Sequence, residues 1–299
     1  MATSKSPLAR LGAWAQYPLP HHGLSRLVGR LTRSNRPWIR RPLIEWFRRR
    51  YRVEMGEAED PDPRNYPDFQ AFFARALRPG ARPLCGKPQG IACPADGTLS
   101  ELGELGTEHS VQAKEAAFRT RDLLGGSSEG TAPFREGRFL TVYLAPRDYH
   151  RVHMPVGGVL REMVHIPGRA FSVGPATTAH IPGLFARNER VVARFDTEAG
   201  PMAVVLVGAM LVATIGTSWA GTITPPRGRG VTRWLYGEEG PGAVHLDKGE
   251  ELGWFNLGST VIVLFGRGRA NWLEDLAPGQ RLLTGSCVGR WYGGTQAGA

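Results

Sequence analysis

Cysteine is scarce in this 299-residue chain: Cys85, Cys93 and Cys287 are the whole complement, and no two of them stand at CxxC spacing. That argues against a cysteine-built zinc site and against a disulfide-dense secreted scaffold. Three scattered thiols suggest a reducing compartment. Long apolar runs are missing as well. Residues 199–226 carry no charge, but their solidly apolar part, Met202 to Ala213, falls short of the roughly 20 residues a spanning helix needs. Glycines and threonines interrupt the remainder, so this stretch reads as a pair of buried strands. Lys5 and Arg10 near the start are followed by no apolar run of the kind a secretory signal carries. No repeat at solenoid or propeller spacing is present. Acidic residues are nearly absent from residues 1–54, which hold twelve Lys and Arg against Glu45 and Glu54. The whole chain has a net charge of +10, so its basicity belongs to this one arm.

Glycine and proline, by contrast, are plentiful at 39 and 23, which favours many turns and a β-leaning fold over a helical bundle. Within the arm, Leu24, Leu27, Val28 and Leu31 form one helical stripe flanked by Arg26, Arg30 and Arg33. A second apolar set, Trp38, Ile39, Leu43, Ile44, Trp46 and Phe47, interleaves with Arg40, Arg41, Arg48, Arg49 and Arg50, and Pro42 is placed to open that helix. Basic amphipathic helices with Trp at the apolar border suit an anionic membrane surface, where each cation contributes about 1 kcal/mol. Packing on the rest of the chain competes with that reading. Nucleic-acid binding is disfavoured, since no nucleic-acid module accompanies the arm. Residues 57–65 then form a proline-rich linker, residues 68–76 a short helix, and residues 105–136 a polar, mobile surface segment. Phe139–Leu144 and Val261–Phe265 read as strands.

Three short motifs could carry chemistry. Pro94-Ala95-Asp96-Gly97 offers a carboxylate, although Asp-Gly is also a common hairpin turn. Tyr149-His150-Arg151-Val152-His153-Met154-Pro155 puts two histidines after a strand. They could bind metal, but no companion ligands appear and no metal site is expected; a surface or core role competes with function. Leu257-Gly258-Ser259-Thr260 sets a hydroxyl beside a carbonyl left open by glycine, before a buried strand. Taken alone it would usually be a turn.

In this order, and with Phe171-Ser172-Val173, Leu184-Phe185-Ala186-Arg187-Asn188-Glu189-Arg190, Trp219-Ala220-Gly221-Thr222-Ile223-Thr224-Pro225-Pro226 and Lys248-Gly249-Glu250-Glu251-Leu252-Gly253, these motifs resemble the bacterial phosphatidylserine decarboxylase proenzymes. The resemblance covers about residues 42–268 and rests on the ordered set. It implies a self-processing carboxy-lyase of phospholipid biosynthesis with a covalent pyruvoyl (pyruvate) cofactor made from Ser259. Asp96, His153 and Ser259 would form a charge relay: His153 takes the Ser259 proton, Asp96 supports the imidazolium, and Oγ attacks the Gly258 carbonyl. Elimination would leave a large chain 1–258 and a small chain 259–299 of 41 residues, with pyruvoyl at position 259. That group would form a Schiff base with phosphatidylserine and accept electrons as carbon dioxide leaves, yielding phosphatidylethanolamine. His150 is a candidate substrate-binding residue, and either His150 or His153 could deliver the proton. In an uncleaved chain, Ser259 Oγ should lie near His153 with Asp96 behind.

The expected architecture is α+β: a β-rich, mostly antiparallel, sandwich- or barrel-like catalytic domain over 57–299, carrying N-terminal amphipathic helices in a membrane-association arm over 1–56. The resemblance also implies a heterodimer of large and small chains, a homodimer of these, and a peripheral place on the cytoplasmic side of the cell membrane facing anionic phosphatidylserine. Two alternatives stay open at this point. One is a pyruvoyl decarboxylase for another amino-acid-derived substrate. The other is a Ser-His-Asp hydrolase, although Ser259 lacks the second glycine and the following helix of a nucleophile elbow.

Overall fold

The computed structural model describes residues 14, 16–17, 28–106, 120–126, 130–209, 214–223, 230–256 and 258–293. Among the described residues a helical run over 28–32 precedes α1 (Pro37–Tyr51), and short helices follow as α2 (Phe69–Phe73), α3 (Thr120–Leu123), α4 (Pro175–Thr178) and α5 (Leu184–Arg187). Strands make up most of the regular structure. The first eight are β1 (Gly90–Ala92), β2 (Gly97–Glu104), β3 (Arg138–Leu144), β4 (Arg151–His153), β5 (Gly158–Ile166), β6 (Arg190–Thr197), β7 (Gly200–Gly208) and β8 (Ile215–Thr217). They are followed by β9 (Gly221–Thr222), β10 (Thr232–Leu235), β11 (His245–Leu246), β12 (Glu251–Phe255), β13 (Ser259–Phe265), β14 (Ala270–Trp272), β15 (Arg281–Leu282) and β16 (Cys287–Trp291).

The strands build three antiparallel sheets, in keeping with the expected β-rich α+β class. A nine-stranded sheet runs β10-β5-β6-β7-β13-β3-β2-β15, with β11 also on β5; a four-stranded sheet runs β4-β12-β8-β9; a three-stranded sheet runs β1-β16-β14. β13 lies inside the largest sheet. Thr260, Val261, Ile262 and Val263 are β-branched and favour extended backbone, and all seven residues of the strand are buried. Val261 faces Leu206 on one side and Val142 on the other. Because both faces are covered, the strand reads as a continuous apolar run rather than an alternating one. Burying each of its large side chains contributes about 1.5–3 kcal/mol.

The uncharged 199–226 stretch does enter strands rather than one long helix. β7 is buried within the large sheet, while β8 and β9 belong to the small one. No helix among the described residues is long and apolar enough to cross a membrane.

Several expectations need correcting. The second arm helix opens at Pro37, not Pro42: Pro37 takes the first turn, where a missing N–H costs nothing, and the Arg36 carbonyl accepts from Ile39 and Arg40. Pro42 lies inside the helix. Residues 105–136 are not uniformly a polar surface: Leu123, Leu124 and Phe134 are buried in the main core. Residues 107–119 and 127–129 of that segment, like Leu24 and Leu27 of the first arm stripe, lie outside the described residues. The cysteines are not all free, since Cys85 and Cys287 form a disulfide across 202 residues of sequence. Spacing could not reveal that pair, which meets through the fold. The short helix expected over 68–76 is present as α2, and the Asp68 carboxylate caps it by accepting from the Ala71 N–H at 2.8 Å.

The arm also packs. Ile44 and Phe47 of α1 join Val53, Met55, Ala58, Phe69, Phe72 and Phe73 in a second core, separate from the main one. The Phe47 and Phe69 rings meet edge to face at 5.0 Å. The opposite side of α1 leaves Trp38 and Trp46 exposed at 68% and 57%.

Candidate active site

Three of the motifs sit where the sheets meet. β4 ends at His153 and pairs with β12, whose last residue, Phe255, donates its N–H to the His150 carbonyl at 3.0 Å. Four residues later the chain has left that sheet and entered the large one as β13. Ser259, its first residue, stands opposite Gly208 and Leu144, the last residues of β7 and β3. The Gly258–Ser259 peptide is therefore held at a crossing between two sheets.

Ser259 is fully buried, and its Oγ has no hydrogen-bond partner among the described residues. A buried hydroxyl left unpaired costs on the order of 1–3 kcal/mol; Thr141, Thr217 and Thr260 are in the same state among the described residues, so it is the place of Ser259 directly after Gly258 that singles it out. Gly258 does not adopt the left-handed backbone that glycine would permit. A Cβ built on it would meet no atom of the described residues within 4 Å, its chain neighbours aside. Open space at Gly258, rather than an unusual dihedral, is what the described residues provide.

His153 is held by both ring nitrogens. Nδ1 lies 2.8 Å from the Gly249 carbonyl and Nε2 lies 2.9 Å from the Tyr149 hydroxyl. A carbonyl can only accept, so Nδ1 carries the proton and Nε2 of the neutral ring accepts from Tyr149. Burial pulls the His153 pKa below its ordinary value, outweighing the Gly249 bond and the charges of Glu251 and Asp96.

Asp96 lies just before β2 and is almost wholly buried. It is not a hairpin turn, because β1 pairs with β16 and β2 with β3 and β15. Gly97 instead allows close approach to β3: a Cβ there would lie 2.3 Å from the Tyr143 carbonyl oxygen. The Arg82 guanidinium grips the Asp96 carboxylate at 2.6–3.1 Å. The Thr284 N–H and hydroxyl both donate to Oδ1 at 2.9 Å. Burial works against the charged form, but Arg82 and Thr284 prevail and hold the carboxyl below its usual range.

The Asp96, His153 and Ser259 side chains are thus not hydrogen-bonded to one another in this uncleaved chain. Asp96 and His153 do share a neighbourhood. The His153 N–H donates to the Pro94 carbonyl at 2.8 Å, and a cleft of about 330 Å³ is lined by Arg82, Tyr149, His153, Gly249 and Thr284. His150 is wholly buried, with its ring 4.1 Å from that of Phe73. Its Nδ1 donates to the Asp148 carbonyl at 2.9 Å, and its Nε2 has no partner among the described residues. Burial pulls its pKa down to about 3, so the ring is neutral. Asp148 in turn accepts from the Ala145 N–H at 2.7 Å and from Arg281 at 2.8 Å.

Comparison with known proteins decides the lineage. The sequence profile described as phosphatidylserine decarboxylase matches residues 69–290, and a short profile described as PSD matches residues 11–52. The chain belongs to the phosphatidylserine decarboxylase family. It is 52% identical over 281 residues to a phosphatidylserine decarboxylase proenzyme of Stutzerimonas stutzeri, covering 94% of each chain. A relative of the same name from Ectopseudomonas mendocina is 52% identical over 280 residues, covering 94% of this chain and 98% of its own. A third, from Pseudomonas aeruginosa, is 52% identical over 279 residues, covering 93% and 96%.

For this family member, sequence reasoning singled out Asp96, His150, His153 and Ser259 as candidates but gave no sign of what holds them. Tyr149 and Gly249 lay inside recognised motifs without an assigned role. Arg82 and Thr284 gave no signal: one is among many arginines, the other stands 188 residues from its partner.

Proposed function

We propose that this chain is a proenzyme that cleaves itself between Gly258 and Ser259 and then decarboxylates phosphatidylserine to phosphatidylethanolamine. The observation that carries the reading is the buried Ser259 hydroxyl, without a partner among the described residues, directly after a glycine that no other described residue crowds, in a chain of this family.

His153 is the base for cleavage. Its Nδ1–H bond to Gly249 fixes the tautomer whose Nε2 can take a proton, and its burial keeps the ring neutral near pH 7. Nε2 exchanges Tyr149 for Ser259 Oγ, which attacks the Gly258 carbonyl as the proton passes to His153. The peptide bond becomes an ester. Elimination across Cα–Cβ then releases a chain ending at Gly258, and loss of ammonia on hydrolysis leaves a pyruvoyl group at position 259. Asp96 stays ionised and supports the transient imidazolium through its charge, anchored by Arg82 and Thr284.

Once formed, the pyruvoyl group would supply an electrophilic carbonyl for the substrate amine and so the electron sink that decarboxylation needs. The residues fit it: position 259 is fully buried, and β13 fixes it inside the largest sheet. The neutral His150 offers Nε2 as an acceptor for the substrate amine.

The exposed Trp38 and Trp46, with Arg41, Arg49 and Arg50 beside them, dock the chain peripherally on the anionic cytoplasmic face of the cell membrane. The two fragments remain one heterodimeric unit, and such units pair as a homodimer; no nucleic acid is involved. The domain division is the helical arm over 1–56 and the decarboxylase domain over 57–299. Carbon dioxide release from vesicles containing phosphatidylserine, compared with free serine, tests the substrate. Release from vesicles alone is expected. Equal release from free serine would shift the reading to a soluble amino-acid decarboxylase, and ester hydrolysis without carbon dioxide would make the chain a hydrolase.

A further inference from the structure

The disulfide lies on opposite sides of the proposed cut. Cys85 belongs to residues 1–258 and Cys287 to residues 259–299, with their Cα atoms 5.0 Å apart. The pair is built into the fold. Cys85 donates its N–H to the Gly285 carbonyl at 2.7 Å, and Ala92 of β1 pairs with Cys287 of β16. Gly90 makes room for the bridge, since a Cβ there would lie 2.3 Å from Cys85 Sγ. The third cysteine is no competitor. Cys93 is buried, its thiol is pushed up to about 12 by burial, and its Sγ donates to the Ala95 carbonyl at 3.2 Å.

The bridge also stands beside the site. Thr284, which donates two hydrogen bonds to Asp96, is three residues before Cys287, and Arg281, which pairs with Asp148, is six before it. After cleavage these contacts join two chains.

We propose that the Cys85–Cys287 disulfide is a covalent tether between the two products of self-cleavage, holding the small fragment and its Thr284 on the large one. This rests on the cleavage reading above. The bond forms by exchange with a small-molecule disulfide. One cysteine thiolate, most accessibly Cys287, attacks that disulfide and expels a thiolate; the Cys85 thiolate then attacks the Cys287 sulfur and expels the second. Two cysteine thiols are oxidised, the small disulfide is reduced to two thiols by the same two electrons, and the protons pass to the leaving thiolates.

The test uses full-length protein, incubated with oxidised glutathione, alkylated, and run on denaturing gels with and without reductant, with mass spectrometry of each band. One band containing both fragments is expected without reductant. With reductant the 41-residue fragment, 259–299, should separate. In the Cys287→Ser variant the fragments should separate in both lanes. Separate wild-type fragments without reductant, with Cys85 and Cys287 both alkylated, would overturn the tether and leave cleavage standing. A single unbroken chain in both lanes would overturn cleavage, and the tether with it.

Discussion

Replacing Arg82 by Met probes the anchoring of Asp96 most sharply. The substitution keeps an apolar stem but removes the guanidinium from a carboxylate whose side chain is 2% exposed; Arg82 itself is 11% exposed. Breaking a buried pair by deleting one partner costs about 3–5 kcal/mol, because the other charge stays buried. Thr284 still donates twice to Oδ1, so the low end applies, about 3 kcal/mol. The second Arg82 contact, to Glu57, is 48% exposed on the Glu side and adds less than about 1 kcal/mol. The comparison belongs in a Ser259→Ala background, so that only uncleaved chains are unfolded. With a urea dependence of about 3 kcal/mol per molar, the midpoint should fall by about 1 M. Adding Asp96→Asn to Arg82→Met removes the stranded charge and should recover at least about 1 kcal/mol, although the same change alone destabilises the parent. An Arg82→Met midpoint within about 0.2 M of the parent would refute the reasoning. So would an Asp96→Asn change that costs as much in the Arg82→Met chain as in the parent.

Three further outcomes are expected. In the same background, stability should fall with acid. Asp96 and His150 both have depressed folded-state pKa values, so their contributions are full above the unfolded values and shrink as pH drops. For His150 the window runs from about 6.5 down to about 3, with a slope of up to about 1.4 kcal/mol per pH unit. His150→Gln should flatten that part of the urea-midpoint profile, and an unchanged slope would contradict a buried neutral ring. Gly97→Ala should destabilise by at least about 2 kcal/mol, because its Cβ would strike the Tyr143 carbonyl oxygen at 2.3 Å; thermal unfolding checks this. Trp38→Ser with Trp46→Ser should weaken sedimentation with phosphatidylserine vesicles roughly tenfold or more while unfolding stays near that of the parent, since both rings are exposed. Deleting the arm is a poorer test, because Ile44 and Phe47 belong to a packed core.

What could be read from the sequence depended on physical periodicity and motif order. The β13 strand was legible because a β-branched run bounded by glycine has few other uses, and α2 because Asp68 precedes a phenylalanine cluster. The three motifs of the site were legible as an ordered set. Contacts made by distant segments were not. Cys85 meets Cys287, and Arg82 and Thr284 meet Asp96, only once β1 pairs with β16 and β2 with β15. Local pattern was also misleading at Asp96-Gly97, where the glycine serves an inter-strand contact rather than a turn. At Pro42 it failed because Pro37 was the better start. The burial of Leu123, Leu124 and Phe134 was masked by their polar, glycine-rich surroundings.

The most direct test of the central claim is the intact mass of purified wild-type protein beside that of Ser259→Ala, both under reducing, denaturing conditions. The account predicts two wild-type species, residues 1–258 and a 41-residue fragment that lacks a free N-terminal amine, and a single uncleaved 32.7 kDa variant. A single intact wild-type chain that still releases carbon dioxide from phosphatidylserine would contradict it.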